Sequence, residues 1–129
     1  MTLLLDTHTL LWAIGAPTRL GNAAKAAIED PTTRLVVSAV SPWEMSIKHA
    51  RGRLPHAELA LSNWEAILGR LGAEALAIEA EHAILAGRLN WDHRDPFDRM
   101  LAAQSVLLGA RLVTDDRAFR NAPGVATLW

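Results

Sequence analysis

Acidic side chains in four distant stretches of the chain are the residues best suited to chemistry. They are Asp6, Glu44, Asp95, Asp98 and the neighbouring Asp115 and Asp116. Four such carboxylates packed together without counter-ions would repel one another strongly. A fold that gathers them therefore favours a hard divalent cation, because Mg2+ prefers oxygen ligands and needs only a few carboxylates. Zinc is disfavoured, since the chain has no cysteine and its histidines lack the close spacing of zinc ligands.

Helix capping is the competing explanation for these acids taken singly. Aspartate is a favoured N-cap residue, and the positions that fit such a cap are Asp6, Asp95 and one of Asp115 and Asp116. Asp98 would lie near the positive end of a helix dipole. Glu44 would complete a capping box with Ser41 and could also pair with Lys48, four residues further on. Capping accounts for single acids, whereas their occurrence in four separate stretches favours a shared cation.

Short apolar runs alternate with helical patterns along the chain, and these elements would position the acids. Strands are predicted at residues 3–5, 35–37, 74–78, 111–114 and 125–128. Helices are predicted at residues 8–14, 22–28, 41–51, 58–71, 79–89 and 95–108. Asn22 and Ser41 are the predicted N-caps of the second and third helices. Strands that alternate with helices predict an α/β fold around a parallel sheet.

The acids fall at one edge of this predicted sheet. Asp6 follows the first strand directly, Asp115 and Asp116 follow the strand at 111–114, and the other three begin helices. Open α/β sheets bind their ligands beyond the carboxyl ends of the strands, near the point where the strand order reverses. The acids are therefore expected at the ligand-binding edge.

The composition fits one compact domain, residues 1–129, with half of its residues apolar and 21% charged. A net charge of −1 gives no basic excess that would indicate a nucleic-acid partner, although a carboxylate-rich cation site accounts for part of the negative charge. The absence of cysteine excludes disulfides and thiolate chemistry. The start of the chain is typical of a buried strand rather than a signal peptide. No apolar run approaches the roughly 18 residues of a membrane span, so a soluble, cytoplasmic protein without a membrane partner is expected.

Four segments, in order along the chain, resemble the PIN-domain family and, within it, the VapC-type toxins of bacterial toxin–antitoxin pairs. They are residues 3–8 (LLLDTH), 38–44 (SAVSPWE) with Lys48, 93–104 (HRDPFDRMLAAQ) and 112–119 (LVTDDRAF). The resemblance covers essentially the whole chain, and the third segment is the most distinctive. It implies a PIN-like three-layer α/β/α sandwich with a central, mainly parallel sheet of four to five strands.

The same resemblance implies an endoribonuclease that depends on Mg2+ or Mn2+. Carried over position by position, its catalytic and metal-binding acids are Asp6, Glu44, Asp98 and Asp116. Asp98 is preferred to Asp95 because the acid of the family leads directly into an apolar-Ala-Ala stretch. Asp116 is preferred to Asp115 because the family pattern is Thr, any residue, Asp. The supporting positions are Asp95, Thr114, Asp115, His8, Lys48 and Arg99. His8 stands where many relatives carry Asn, and it would either donate a proton, contact a phosphate or face solvent.

Phosphodiester hydrolysis needs an activated water, a stabilised leaving oxygen and a neutralised phosphate, and divalent cations meet all three needs. We predict that Asp6 anchors the main cation and that Asp98 and Asp116 complete its ligands. Glu44 would reach a second cation or orient the attacking water. Whether one cation or two act is left open.

Basic and aromatic side chains near the acids are candidates for holding RNA. The basic ones are Lys48, Arg51, Arg53, Arg94 and Arg99, and they would either contact phosphates or form solvated surface with local ion pairs. The aromatic ones are Trp12, Trp43, Trp64 and Trp91. They would either stack on bases or belong to a core or an interface, the more common place for tryptophan at helical spacing among leucines.

The resemblance implies partners as well as a substrate. These are an RNA substrate, a second copy in a homodimer, and a cognate VapB-type antitoxin whose C-terminal segment lies over the acidic cleft. An arginine in that segment could compete with the metal. Trp43, beside Glu44, is the residue that we select for a partner contact.

Two other kinds of protein are the alternatives. A receiver-type or phosphatase-type domain also gathers acids around Mg2+ at strand ends. A phosphatase of that kind needs a second Asp where His8 stands, and a receiver needs a late lysine, whereas none follows Lys48. A catalytically silent PIN-like protein-binding module would keep the fold without the activity. The four matched acids favour the nuclease.

Overall fold

The computed structural model describes the whole sequence, residues 1–129, and its centre is one five-stranded sheet whose strands are all parallel. The strands are β1 (Thr2–Leu5), β2 (Arg34–Ser38), β3 (Ala73–Leu76), β4 (Arg111–Val113) and β5 (Thr127–Leu128), and their order across the sheet is β3-β2-β1-β4-β5. The helices are α1 (Thr7–Gly15), α2 (Asn22–Glu29), α3 (Val40–Ala50), α4 (Ala57–Ser62), α5 (Trp64–Leu71), α6 (Ala80–Arg88) and α7 (Pro96–Leu108). Short 3-10 turns occur at Pro17–Arg19 and Arg117–Asn121. None of the helices combines the length and the apolar composition that crossing a membrane requires.

Successive side chains of the central strand β1 enter two separate apolar cores. Leu3 and Leu5 are fully buried in one cluster, together with side chains from α1, α2, α4 and α5. Leu4 is buried in the other cluster, which includes Leu101 of α7. Strands that helices cover on both faces need apolar side chains at every position, which explains the uniformly apolar run in β1. The predicted three-layer α/β/α sandwich is confirmed, and so is the sheet of four to five strands.

The strand order reverses beside β1, and this reversal positions the acids. From β1 the chain moves outward through β2 and β3, and it then crosses to the other side of β1 to form β4 and β5. Asp6 follows β1 and Thr114 follows β4, so both residues lie at the carboxyl edge between strands whose connections lead away in opposite directions. Such a switch point leaves the crevice that α/β proteins use for ligands.

The single helix predicted at residues 58–71 is wrong, because the chain forms two helices, α4 and α5, that separate at Asn63. The apolar spacing continues across the break. The side-chain amide of Asn63, however, donates a hydrogen bond to the carbonyl oxygen of Leu59 at 2.9 Å. A local side-chain bond of this kind competes with the regular helical ladder.

The prediction that Ser41 caps α3 is also wrong, because α3 already begins at Val40. The hydroxyl oxygen of Ser38 accepts a hydrogen bond from the backbone N–H of Val40 at 3.0 Å. Ser41 is instead buried, and it accepts a hydrogen bond from the hydroxyl of Thr7 at 3.1 Å. This bond joins the first turn of α1 to the first turn of α3.

Gly21, not the predicted Asn22, is the N-cap residue of α2. A Cβ on Gly21 would lie 2.7 Å from the backbone carbon and the indole ring of Trp129, which is closer than side chains pack. The glycine therefore permits the close approach of Trp129. That indole in turn stands edge-on to Trp12, with ring centroids 5.6 Å apart.

Candidate metal centre

An open cleft of about 340 Å³ lies at the carboxyl edge of the sheet, and five of its eight lining residues are acids. The lining consists of Asp6, Thr7, His8, Trp12, Glu44, Asp98, Asp115 and Asp116. It thus contains all four acids that were predicted to bind metal, each from a different stretch of the chain. Asp115 joins them, whereas Asp95 lies outside the lining.

Asp6 is buried at the base of α1, where both of its carboxylate oxygens have partners. Oδ1 accepts a hydrogen bond from the backbone N–H of Thr9 at 2.7 Å, which confirms the predicted N-cap, and Oδ2 accepts one from the hydroxyl of Thr114. Burial raises the pKa of Asp6 above its ordinary value of 3.8, and the hydrogen bonds from Thr114 and Thr9 lower it in part. A carboxylate that is fixed in position and poorly hydrated gains from a nearby positive charge.

Thr114 connects Asp6 to a second acid of the cleft. Besides donating to Asp6, its hydroxyl oxygen accepts a hydrogen bond from the backbone N–H of Asp116 at 3.0 Å. Oδ1 of Asp116 accepts one from the N–H of Ala118 at 2.9 Å, so Asp116 is the N-cap of the 3-10 turn at Arg117–Asn121. Capping and convergence are therefore compatible, because the same acids cap elements and line the cleft.

Glu44 is almost fully buried and pairs with Lys48 one turn later on α3. The ammonium of Lys48 donates to Oε2 of Glu44, which confirms the predicted pair four residues apart. The predicted capping box of Glu44 with Ser41 is wrong, because both residues lie inside a helix that starts earlier. Lys48 offsets one negative charge in an otherwise acidic cleft.

Asp98 lies in the first turn of α7, and its Oδ2 is 2.6 Å from Nε2 of His93. The pKa of Asp98 is raised to about 6, chiefly because the carboxyl is removed from water. The hydrogen bond from His93 lowers this pKa in part, and the negative charges of Asp95 and Glu44 raise it further. Asp98 is thus a carboxyl that is poorly hydrated and, to a smaller extent, repelled by neighbouring acids. Additional positive charge would keep it ionised.

His93 is the residue that the sequence analysis missed. It lies with Asp95 and Asp98 in a group whose ligand atoms are all within 4.8 Å of one another, close enough to hold a metal ion. Oδ1 of Asp95, however, already accepts hydrogen bonds from the N–H groups of Phe97 at 2.8 Å and Asp98 at 3.2 Å, as the predicted N-cap of α7. The sequence feature that could have indicated this contact is a histidine five residues before Asp98. The cleft remains the stronger candidate, since it unites five acids and shares Asp98 with this smaller group.

Arg99 has a structural task instead of the phosphate contact that was considered for it. Its guanidinium donates to four backbone carbonyl oxygens, those of Ala86, Leu89, Trp91 and His93, at 2.7–2.9 Å. All three nitrogens are engaged in these bonds. Arg99 therefore holds the segment between α6 and α7, and with it the backbone of His93. The other basic candidates, Arg51, Arg53 and Arg94, are exposed and lie outside the cleft lining.

Two of the four candidate tryptophans pack against the apolar cores, one is exposed and one lines the cleft. Trp64 packs against one apolar core and Trp91 against the other, as expected of tryptophan among leucines. Trp43 is 51% exposed. Trp12 lines the cleft, and so does His8, which is exposed on the first turn of α1.

The donors of the cleft fit a hard divalent cation. They are mainly carboxylate oxygens, together with the hydroxyl of Thr7 and the imidazole of His8, and include no sulfur. Lys48 is the one basic group that forms an ion pair with an acid of the cleft, apart from the imidazole of His93. Mg2+ prefers oxygen ligands of this kind and retains part of its water. Asp6, Glu44, Asp98 and Asp116 are the residues that could hold such a cation.

Comparison with known proteins identifies the family. A sequence model of the PIN domain matches residues 3–125. The chain belongs to the PIN-domain family. Ribonuclease VapC22 of Mycobacterium tuberculosis is 32% identical over an alignment of 133 positions, which covers 99% of this chain and 98% of that protein. The resemblance to VapC-type members that was inferred from four segments is confirmed.

Solved structures share the fold over the full length of the chain. The DNA-bound VapBC from Salmonella typhimurium superimposes with a TM-score of 0.74 at 24% identity, and the match covers 99% of this chain and 97% of that one. VapBC2 from Rickettsia felis, bound to a DNA fragment from its promoter, gives a TM-score of 0.71 at 17% identity, with 99% and 98% covered. These likenesses establish the PIN-like sandwich.

Proposed function

We propose that this protein is a Mg2+- or Mn2+-dependent endoribonuclease and the toxin of a toxin–antitoxin pair. The convergence of five carboxylates in one cleft carries the proposal. Membership of the PIN-domain family supports it, as does a relative named a ribonuclease that aligns with essentially the entire chain. The reaction would be hydrolysis of RNA phosphodiester bonds.

In this proposal Asp6, Glu44, Asp98 and Asp116 hold the cation and act as the catalytic acids. A bound divalent cation lowers the pKa of its water and neutralises charge on the phosphate. Asp6 offers oxygens in a fixed orientation, because Thr9 and Thr114 bind both of them. Glu44 has a longer side chain and can orient the attacking water; in the metal-free protein its carboxylate pairs with Lys48.

Two further carboxylates and one histidine have supporting tasks. Asp95 caps α7 and so fixes the helix turn that carries Asp98. His93 orients the carboxylate of Asp98 through the hydrogen bond at 2.6 Å. Asp115 adds negative charge at the rim of the cleft. Hydrogen-bonded neighbours of this kind set the direction and basicity of metal ligands.

We propose a VapB-type antitoxin as the protein partner, in line with the VapBC complexes among the structural relatives. A cleft of five acids complements a basic segment, and an arginine there would pair with two carboxylate oxygens at once. Such a segment would compete with the cation for the same oxygens. The homodimer rests on the family likeness alone, and the cytoplasmic location remains an expectation from the sequence.

Cleavage of mixed cellular RNA by the purified protein tests the proposed activity. RNA should be cut with Mg2+ or Mn2+, EDTA should stop the cutting, and Asp6→Asn should abolish it while the circular dichroism spectrum stays unchanged. Asp92→Asn is the matched control, since Asp92 is exposed and outside the cleft lining. A folded, active Asp6→Asn protein would refute the site, and no cleavage of any RNA class would favour the silent protein-binding module.

A further inference from the structure

The part of the cleft lining that is free of acids belongs entirely to α1. The three lining residues that are not carboxylates are Thr7, His8 and Trp12, and all lie within its first two turns. The remaining lining is acidic. A polyanion that enters this cleft is repelled by the acids wherever no cation covers them. The surface of α1 is therefore where the rest of an RNA strand can lie.

Trp12 and His8 place two neighbouring aromatic rings at this wall. Their rings are one helical turn apart, with centroids 6.0 Å apart and planes inclined by 53°. Trp129 supports Trp12 from the side, and the close approach of Trp129 to Gly21 holds that support in place. An aromatic group whose position is set before binding loses little conformational freedom when a base stacks on it. Stacking on such side chains is a common way to hold unpaired bases.

A positive charge lies over one face of the Trp12 ring. The guanidinium carbon of Arg19 is 4.8 Å from the centroid of the Trp12 ring, within the range of a cation–π contact. Arg19 is exposed and has no carboxylate partner. Its N–H groups are thus available to the phosphate of a nucleotide whose base lies at Trp12.

We propose that His8, Trp12 and Arg19 form a nucleotide-binding subsite for single-stranded RNA. One base next to the reacting phosphate stacks on the face of Trp12 that Arg19 does not cover, with the inclined ring of His8 beside it, and Arg19 binds an adjacent phosphate. The subsite deepens the proposed function, on which it rests, by assigning the residues that hold one unpaired base, because a paired base cannot stack on a side chain.

Binding to two oligomers separates the contribution of the base from that of the backbone. The probes are a fluorescein-labelled oligouridylate of about 12 nucleotides and an abasic ribose-phosphate oligomer of the same length. Fluorescence anisotropy is measured with Ca2+, a cation that also takes oxygen ligands. The wild-type protein should bind oligouridylate about 5- to 150-fold more tightly than the abasic oligomer, as expected for one stacked base.

Variants of the subsite should change this preference in different ways. Trp12→Leu should abolish the preference for bases, whereas Trp12→Phe, which keeps an aromatic ring, should retain most of it. Arg19→Ala should weaken binding of both oligomers by a similar factor and leave the preference unchanged. Trp43→Leu is the matched control, because Trp43 is exposed but outside the cleft lining, and it should behave as the wild type.

The outcomes distinguish this inference from the proposed nuclease activity. If the protein cleaves RNA but the wild type binds both oligomers equally, the subsite is refuted and the nuclease stands. The same holds if a folded Trp12→Leu keeps the full preference. If no RNA is cleaved but the preference is present and depends on Trp12, the subsite stands without the activity. The wild-type comparison needs no variant, so an unstable Trp12→Leu protein cannot hide a negative result.

Discussion

The hydroxyl of Thr114 donates a hydrogen bond to Oδ2 of Asp6 and accepts one from the backbone N–H of Asp116 at 3.0 Å. Thr114 and Asp6 are 108 residues apart in the sequence. They meet because β1 and β4 are neighbouring parallel strands whose carboxyl ends coincide. One hydroxyl thus orients one proposed ligand and holds the backbone of another.

Removal of this hydroxyl should weaken metal binding. Thr114→Val keeps the shape of the side chain but removes the donor to Asp6, so the pKa of Asp6 should rise further and the carboxylate should lose one of the two hydrogen bonds that orient it. Mn2+ affinity at pH 7 should fall by about 10- to 100-fold, the usual effect of losing a hydrogen bond to a metal ligand. Isothermal titration calorimetry measures it. Thr114→Ser, which retains the hydroxyl, should bind nearly as the wild type, and equal affinities for Val and Ser would contradict this role.

The metal-free protein should lose stability as pH rises from about 4 to about 6. The pKa of Asp98 is raised to about 6 from an ordinary value of 3.8, so over this range the folded state retains a proton that the unfolded state has released. The stabilisation from protonated Asp98 is fully present below the pKa that Asp98 has in the unfolded chain. It is lost as the pH rises through the pKa that Asp98 has in the folded protein. The loss should be about 2 kcal/mol. Urea unfolding in EDTA measures this loss. The free energy of unfolding of Asp98→Asn should change less with pH than that of the wild type. Parallel pH dependences of the two proteins would contradict the raised pKa of Asp98.

The same titration should govern metal affinity. A cation binds the ionised carboxylate, so a proton competes with it below the pKa of Asp98, which is about 6. Mn2+ affinity should therefore fall by up to about tenfold per pH unit below pH 6. Calorimetric titrations at pH 5, 6 and 7 would show it. An affinity that does not change over this range would mean that neither Asp98 nor another raised carboxyl holds the cation.

Lys48 should stabilise the metal-free protein and compete with the metal. Lys48→Met removes the partner of the buried Glu44, so the metal-free protein should lose roughly 1–3 kcal/mol. The released carboxylate is free for a cation, and Mn2+ should therefore raise the melting temperature more in this variant than in the wild type. Lys25→Met is the control, because Lys25 is exposed on α2 and forms no ion pair. A smaller metal-induced shift in Lys48→Met would show that Lys48 assists the cation instead.

Arg99 should matter for stability far more than its exposed neighbour Arg94. Arg99→Ala leaves four carbonyl oxygens without their charged donor and frees the segment that carries His93. The free energy of unfolding should fall by roughly 2–4 kcal/mol. Arg94→Ala should change it by less than about 0.5 kcal/mol, as is usual for exposed positions. Urea unfolding measures the free energy of unfolding of both variants. Similar losses for Arg99→Ala and Arg94→Ala would contradict the structural role of Arg99.

The convergence of the acids could be predicted from the sequence because parallel strands place their carboxyl ends at one edge. Asp6 after β1 and Asp116 after β4 follow from this rule once the apolar runs are recognised as strands. The N-caps at Asp6 and Asp95 were predictable for a different, local reason, since capping depends on residues two or three positions away. Local chemistry and strand direction together determine most of the site.

The features that could not be predicted depend on contacts that spacing does not reveal. The break at Asn63 comes from one side-chain bond inside a continuous apolar pattern. Ser41 is typical of an N-cap, yet it is buried against Thr7 from another helix. His93 reaches Asp98 because Arg99 holds the intervening loop, and no local pattern indicates that loop's shape.

Anomalous diffraction at the manganese edge, from crystals grown with excess Mn2+, is the most direct test of the shared cation site. At least one manganese peak should lie about 2 Å from a carboxylate oxygen of Asp6, with Glu44, Asp98 and Asp116 as direct ligands or one water away. A peak confined to His93 and Asp95, or four acids that point to separate places with no manganese between them, would contradict the account.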